Sequence, residues 1–377
     1  MTTDRFVRRA LRARMLCARW IRAPWIPLAI AASAAIALCL SPVIAHGQYE
    51  ERGLLRWATP WLGSRNTAER GYLWYLADRL GRNGGPREFA LAAHLRAMAG
   101  VRDVRIVGGL RLIDAKTQRW LGDAERMGKD DPVVQALLLH RFSDGDPTYR
   151  RQTAIRRWRE NDTDNLAPLL AIGPADEVLP IDELLASARS TARADFYFDD
   201  IARPLVNAVQ DEPPSAASRR AMPDGVVDAP EALGAQLGAT IWATSVDVAF
   251  QPLVKACRGE ALDATPRRRA DCRHVARLLS EESDTLVGRG IGMNVRLRTY
   301  ANEDELRAAA IAYRRFHWQS QQWNALSERD PTGYARSFAR MLTSDRDITE
   351  YEIMQRTLTD AGISMAPPAG WAAPQGY

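Results

Sequence analysis

The sequence predicts an all-α fold, an irregular helical repeat or a set of stacked helical hairpins. Three observations carry this. Apolar residues recur at steps of three and four along most of the chain after about residue 66, the runs begin and end on capping residues, and one stretch echoes itself farther along.

Taken in order, "NTAERGYLWYLADRLG" predicts a helix from Asn66 or Thr67 to Gly81, with Tyr72, Leu73, Leu76 and Leu80 on its apolar face. Pro86 opens a second helix, "PREFALAAHLRAMAG", which closes at Gly100, so the two form a helical hairpin. One exception stands out: in "DVRIVGGLRLID" Val104, Ile106, Leu110 and Leu112 alternate around Gly108 and Gly109, the pattern of a small β-hairpin near 104–113. Farther on, "DDPVVQALLL" (130–139) and "NDTDNLAPLLA" (161–171) each place Asp ahead of a helical apolar run, with "YRRQTAIRRWREN" as a helix between them.

Over residues 115–175 the helix ending "RWREND", the Asp-rich turn and the helix beginning "LAPLLA" resemble tetratricopeptide-type (TPR-like) helical repeats. The resemblance implies stacked helix pairs whose concave face binds peptides or protein partners. Pro168 and Pro174 depart from a regular repeat.

Apolar periodicity lapses in "DEPPSAASRRAMPDGVVDAP", where Pro213, Pro214, Pro223 and Pro230 interrupt the chain, so 211–230 reads as a linker. It separates an N-terminal helical region, 46–210, from a C-terminal one, 231–365. Asn302 with Glu305 predicts a capping box, and Asp330 with Pro331 the start of the next helix. Three prolines and two glycines in "ISMAPPAGWAAPQGY" predict an extended tail over 366–377, lying on the surface through Trp371.

Charge and composition narrow the function classes. The chain has 377 residues, is 46% hydrophobic and carries a formal net charge of +5. Residues 1–45 hold seven arginines against Asp4 alone, so the remainder is close to neutral and has no basic stripe for nucleic acid. After those arginines no charged side chain occurs from Ala23 to Gln48. A basic start, an apolar run and small residues at Val43 and Ala45 make 1–45 a signal peptide or an N-terminal membrane anchor. Either way the expectation is export: residues 46–377 are periplasmic, free or held at the inner membrane. Contact with the membrane is then through the N-terminal segment alone, when it stays uncleaved.

Two of the four cysteines, Cys257 and Cys272, lie in "KACRGEALDATPRRRADCRHVARLL". Cys257 follows Val246, Ala249, Phe250, Leu253 and Val254 at helical steps, with Pro252 expected to kink that helix; Cys272 leads Val275, Ala276 and Leu279. A metal site would need His274 and a fourth ligand, and a redox pair usually has its cysteines two residues apart. In an oxidising compartment the pair reads as a structural disulfide clamping a helical hairpin with an arginine-rich turn.

The five histidines form no local metal or nucleophile signature, and neither HExxH, a P-loop nor G-x-S-x-G occurs. No catalytic residue, metal ligand or cofactor is assigned. "VGRGIG" (Gly288, Gly290, Gly292) and "GAQLGA" (Gly234, Gly238) read as close helix packing, and the carboxylates Asp199, Asp200, Glu281, Glu282 and Asp284 as caps or solvated faces. "RRFHWQSQQW" (314–323) is the most chemically varied stretch; its candidate groove contacts are His317, Trp318 and Trp323, beside a stripe of Leu306, Ala310, Tyr313, His317 and Ser320. The expected function is a non-catalytic exported scaffold or a protein- or peptide-binding module of the cell envelope. The alternatives are an envelope hydrolase with a dispersed site and a membrane-anchored structural protein.

Overall fold

A computed structural model describes residues 67–100, 113–140, 148–172, 178–220, 230–246, 248–345 and 347–373. All belong to one compact unit, Glu50–Gly376. The expected export segment, 1–45, and nearly all of the expected β-hairpin lie outside the described residues. The described residues are all-α. Beyond helices they hold only isolated bridges, Asn165 to Arg193, Ala194 to Ser283 and Ala171 to Val248. No described helix is long and apolar enough to cross a membrane.

The chain opens with α1 (Thr67–Asn83) and α2 (Pro86–Gly100), packed as a hairpin, with α3 (Ala115–Met127) against α2. Helix α1 runs past the expected stop at Gly81 and ends at Gly84, whose φ of 80° only glycine adopts readily. Gly81 instead makes room for Trp120: a Cβ there would stand 2.4 Å from the indole. Asp114 caps α3, accepting from the Lys116 and Thr117 amides.

In the repeat-like stretch α4 (Pro132–Leu137) starts on Asp131, whose side chain accepts from the Val133 amide, and α5 (Thr148–Asn161) packs on α4. Next come α6 (Ala167–Leu170), of four residues, and α7 (Ile181–Ser187).

Segment 211–230 joins two of the most closely packed helices, α8 (Phe198–Asp211) and α10 (Pro230–Ser245), and contains the short α9 (Ala216–Arg220). Gly234 and Gly238 bring the α8 and α10 backbones together. A Cβ at either would stand 2.6 Å from an α8 Cα, Val206 or Ala202. After α10 the chain breaks, and Pro252 sits in the first turn of α11 (Gln251–Ala256) rather than kinking a longer helix.

Helix α12 (Arg268–Glu282) and α13 (Leu286–Thr299) make a second close pair, because a Cβ on Gly292 would stand 2.3 Å from the Ser280 nitrogen. Cys257 ends α11 and Cys272 lies in α12. Both are fully buried, their Cα atoms are 5.6 Å apart, and their sulfurs are at bonding distance. The connection is not a bare exposed turn: it carries a 3₁₀ helix, Gly259–Asp263, and Arg268 is buried and ion-paired to Asp182 of α7. Arg189 grips Asp271 with two hydrogen bonds, 2.9 and 2.7 Å, tying the end of the α7 region to α12.

The last layer is α14 (Glu303–Arg329), α15 (Pro331–Ser344) and α16 (Glu350–Asp360). Phe198, Trp323, Tyr334, Phe338 and Ile353 lead the core these share with α8 and α10.

Candidate functional site

The 27-residue α14 carries the residues expected to line a groove. Asn302 caps it by accepting from the Glu305 amide at 2.9 Å; the Glu305 carboxylate reaches back to the Ala301 amide at 2.7 Å, one residue beyond the expected box. Its buried stripe is Ala309, Tyr313, Phe316, Gln319 and Trp323. The expected stripe shared only Tyr313 with it. The bulky Phe316 and Trp323 turn the helix by about one position, which leaves Ala310 exposed and His317 and Ser320 at the margin.

Along the edge beside this stripe stand Arg314, Trp318 and Gln321, at helical steps of four and three, and across them lies the segment after α16. That segment leaves the helix through Gly362, with φ of 68°, while the Ile363 amide bonds back to the Leu358 carbonyl at 2.9 Å. Ile363, Met365 and Pro367 are then half-buried and Ser364, Ala366 and Pro368 exposed; the segment bends at Met365 and Ala366 and ends in a turn in which the Trp371 amide bonds the Pro368 carbonyl at 3.2 Å.

Helix α14 holds this segment by its main chain. The Trp318 indole N–H donates to the Ser364 carbonyl at 2.9 Å, Gln319 Nε2 to the Met365 carbonyl at 3.0 Å, and Arg314 Nη2 to the Pro368 carbonyl at 3.1 Å. Trp371 closes the far end. Its ring meets Trp318 edge-on at 5.6 Å and its indole donates to Gln321 Oε1 at 3.2 Å. Gln319 is fully buried, with its Oε1 receiving the Tyr351 hydroxyl at 3.3 Å, so its amide is fixed toward the segment. Pro367 and Pro368 have no N–H to strand, and the Ala366 amide is served by Ser364 Oγ at 3.3 Å.

Of the three residues expected in a groove, Trp318 hydrogen-bonds the segment. His317 packs on Tyr313 at 4.1 Å and edge-on to Phe316 at 5.6 Å. Burial pushes its pKa down to about 4, and its buried Nε2 has no partner among the described residues. Trp323 is a core residue, 1% exposed and 5.2 Å from Tyr334. Sequence reasoning missed Arg314 and Gln319. The available signal was Arg314 one helical turn before Trp318, together with a proline-rich segment downstream; nothing local marked Gln319.

The carboxylates form a second, separate cluster. Asp162 is buried and takes the Trp158 indole at 3.2 Å, the Asn165 amide at 2.8 Å, the Tyr197 hydroxyl and Arg193. Asp284 receives the Phe196 and Phe198 amides, both at 2.8 Å, and is hydrogen-bonded to Asp195. Desolvation, then the charge of Asp195, raises the Asp284 pKa well above the carboxylate range; desolvation also raises Asp195. Between them Tyr197 holds a φ of 58°, a strained conformation for a non-glycine residue.

The other carboxylates weighed from sequence are ion-paired: Asp199 with Arg203 at 2.6 Å, Asp200 with Arg87 at 2.7 Å and Glu281 with Arg296 at 2.8 Å. Among the described residues no three His, Cys, Asp or Glu side chains gather in a metal-binding arrangement.

No protein-family model, curated protein or solved structure matches the chain.

Proposed function

We propose that the protein is a non-catalytic helical scaffold of the cell envelope that binds a non-helical peptide segment of a protein partner on the edge of α14. The single observation behind this is the set of three side-chain donors, Trp318, Gln319 and Arg314, that meet the main-chain carbonyls of Ser364, Met365 and Pro368 in a non-helical, proline-bearing segment. Reading carbonyls of a chain that has few N–H groups of its own is how aromatic-lined surfaces recognise proline-rich peptides. The buried cysteine pair and the arginine-led apolar start support an exported, oxidising location.

Photo-crosslinking in cells tests this reading. With a benzophenone amino acid in place of Gln321, the expected adduct joins position 321 to a proline-bearing segment of another envelope protein, mapped by peptide mass spectrometry. Adducts confined to the protein's own residues 364–371 count against the proposal.

A second reading, an envelope hydrolase, has one observation in its favour: the neighbouring carboxyls Asp195 and Asp284, both raised in pKa by desolvation, beside the strained Tyr197. Both Asp284 oxygens already carry backbone amides, which suits a structural latch better than a working acid. Turnover of a cell-wall polymer that Asp195→Asn abolishes would reverse that preference.

A further inference from the structure

Three of the hydrogen bonds between the 363–371 segment and α14 are of a kind that another peptide can make, because Trp318, Gln319 and Arg314 donate to carbonyl oxygens of the segment; the fourth, from the Trp371 indole to Gln321 Oε1, asks for a tryptophan. None of residues 363–373 is fully buried, and the Arg314, Trp318 and Trp371 contacts face solvent. Such a segment opens at low cost compared with the helices beneath it.

The face it would leave is costly to keep empty. Gln319 is fully buried beneath the segment and its Nε2 has the Met365 carbonyl as partner, so departure removes that acceptor and opens to water the face on which Ile363 and Met365 pack. Exchange of one such chain for another conserves the hydrogen bonds to carbonyls; simple release does not.

Resting on the peptide-binding reading above, we infer that residues 363–371 are a built-in competitor: a strap that occupies the α14 edge in cis and is displaced by a partner segment of the same chemistry, a non-helical peptide with prolines followed, after a turn, by an aromatic residue. The strap carries that pattern itself, with Pro367 and Pro368 followed by Trp371, whose ring against Trp318 is the clip at the end away from α16. Because the strap is tethered, its effective concentration at the face is in the millimolar range, so only a tighter or locally concentrated partner displaces it.

The test uses the full chain and a fluorescein-labelled peptide of the sequence of residues 363–371, followed by anisotropy. Trp371→Ala removes the clip and leaves α14 intact, while the peptide keeps its own tryptophan. The Trp371→Ala chain is expected to bind the peptide roughly fivefold to tenfold more tightly than the unsubstituted chain, the worth of one aromatic pair. Adding Gln319→Leu should remove that binding while far-UV circular dichroism stays unchanged. Equal affinity for the two chains overturns the strap and leaves the binding face standing. Absence of binding to either chain at millimolar peptide overturns the binding face, and the strap with it. Sedimentation of the same samples should show monomers; a dimer formed by exchanged straps would make a second copy the occupant and overturn the partner assigned here.

Discussion

Replacing Glu350 by Gln is expected to stabilise the protein at pH 8 by on the order of 4 kcal/mol and to flatten its pH dependence above neutrality. Glu350 is 3% exposed in the first turn of α16, and its carboxyl accepts from the Leu286 amide at 2.8 Å. Burial raises its pKa from 4.5 to about 8, with the amide pulling the other way. Between those values the folded protein keeps a proton that the unfolded chain has lost, so stability falls as the pH rises from about 4.5 to 8. Asp284 and Asp195 act in the same direction.

His94 and His317 act in the opposite one. Burial lowers both, so the folded state refuses a proton that the unfolded chain takes up below about pH 6.5, and their contribution is lost as the pH falls. The two sets oppose each other from about pH 4.5 to 6.5, and above that the carboxyls act alone. Thermal unfolding across pH 5–9 should therefore show a midpoint that drops between pH 6.5 and 8 in the unsubstituted protein. In Glu350→Gln, which retains an acceptor for the Leu286 amide, the drop should shrink by the share of Glu350, leaving that of Asp284 and Asp195. Parallel curves for the two proteins would show that Glu350 is not the group responsible.

The second large effect belongs to the cysteines. Cys257 and Cys272 are 15 residues apart in sequence and close a loop whose freedom in the unfolded chain is worth about 3 kcal/mol. Cys257→Ala with Cys272→Ala should cost about that much in urea unfolding, with the far-UV spectrum unchanged. Alanine is the proper replacement because both sites are fully buried and a serine hydroxyl would add its own penalty. A loss below about 0.5 kcal/mol, or the absence of a crosslinked peptide pair under non-reducing mass spectrometry, would remove the clamp from this account.

The helical class and many helix boundaries were legible because they are local. Asp131 before Pro132, Asn302 before Glu305 and Asp330 before Pro331 each mark a start, and each caps its helix in the structure. The packing glycines were legible as a motif, though not their partners: Gly234 and Gly238 meet α8, and Gly292 meets α12.

What escaped was non-local. The Asp162 and Asp284 networks join residues 30 to 90 positions apart, and no period or spacing announces such meetings. The α14 face was half visible. Aromatic and amide residues between 314 and 323 suggested a groove, but the helical phase was set by Phe316 and Trp323 packing into the core, which sent Trp323 inward and left Trp318 at the edge. The proline-rich tail was expected on the surface through Trp371; its seat on α14 depends on Gly362 turning the chain back after α16.

The claim that α14 reads the main chain of a non-helical peptide is met most directly by calorimetric titration of the Trp371→Ala chain with two peptides of the sequence of residues 363–371, one of L and one of D amino acids. Main-chain recognition predicts one-to-one binding of the L peptide and no heat from the D peptide, whose carbonyls point the wrong way for Trp318, Gln319 and Arg314. Equal binding of both would mean nonspecific apolar adhesion, and silence from the L peptide would mean that the edge of α14 is not a binding face; either result contradicts the account.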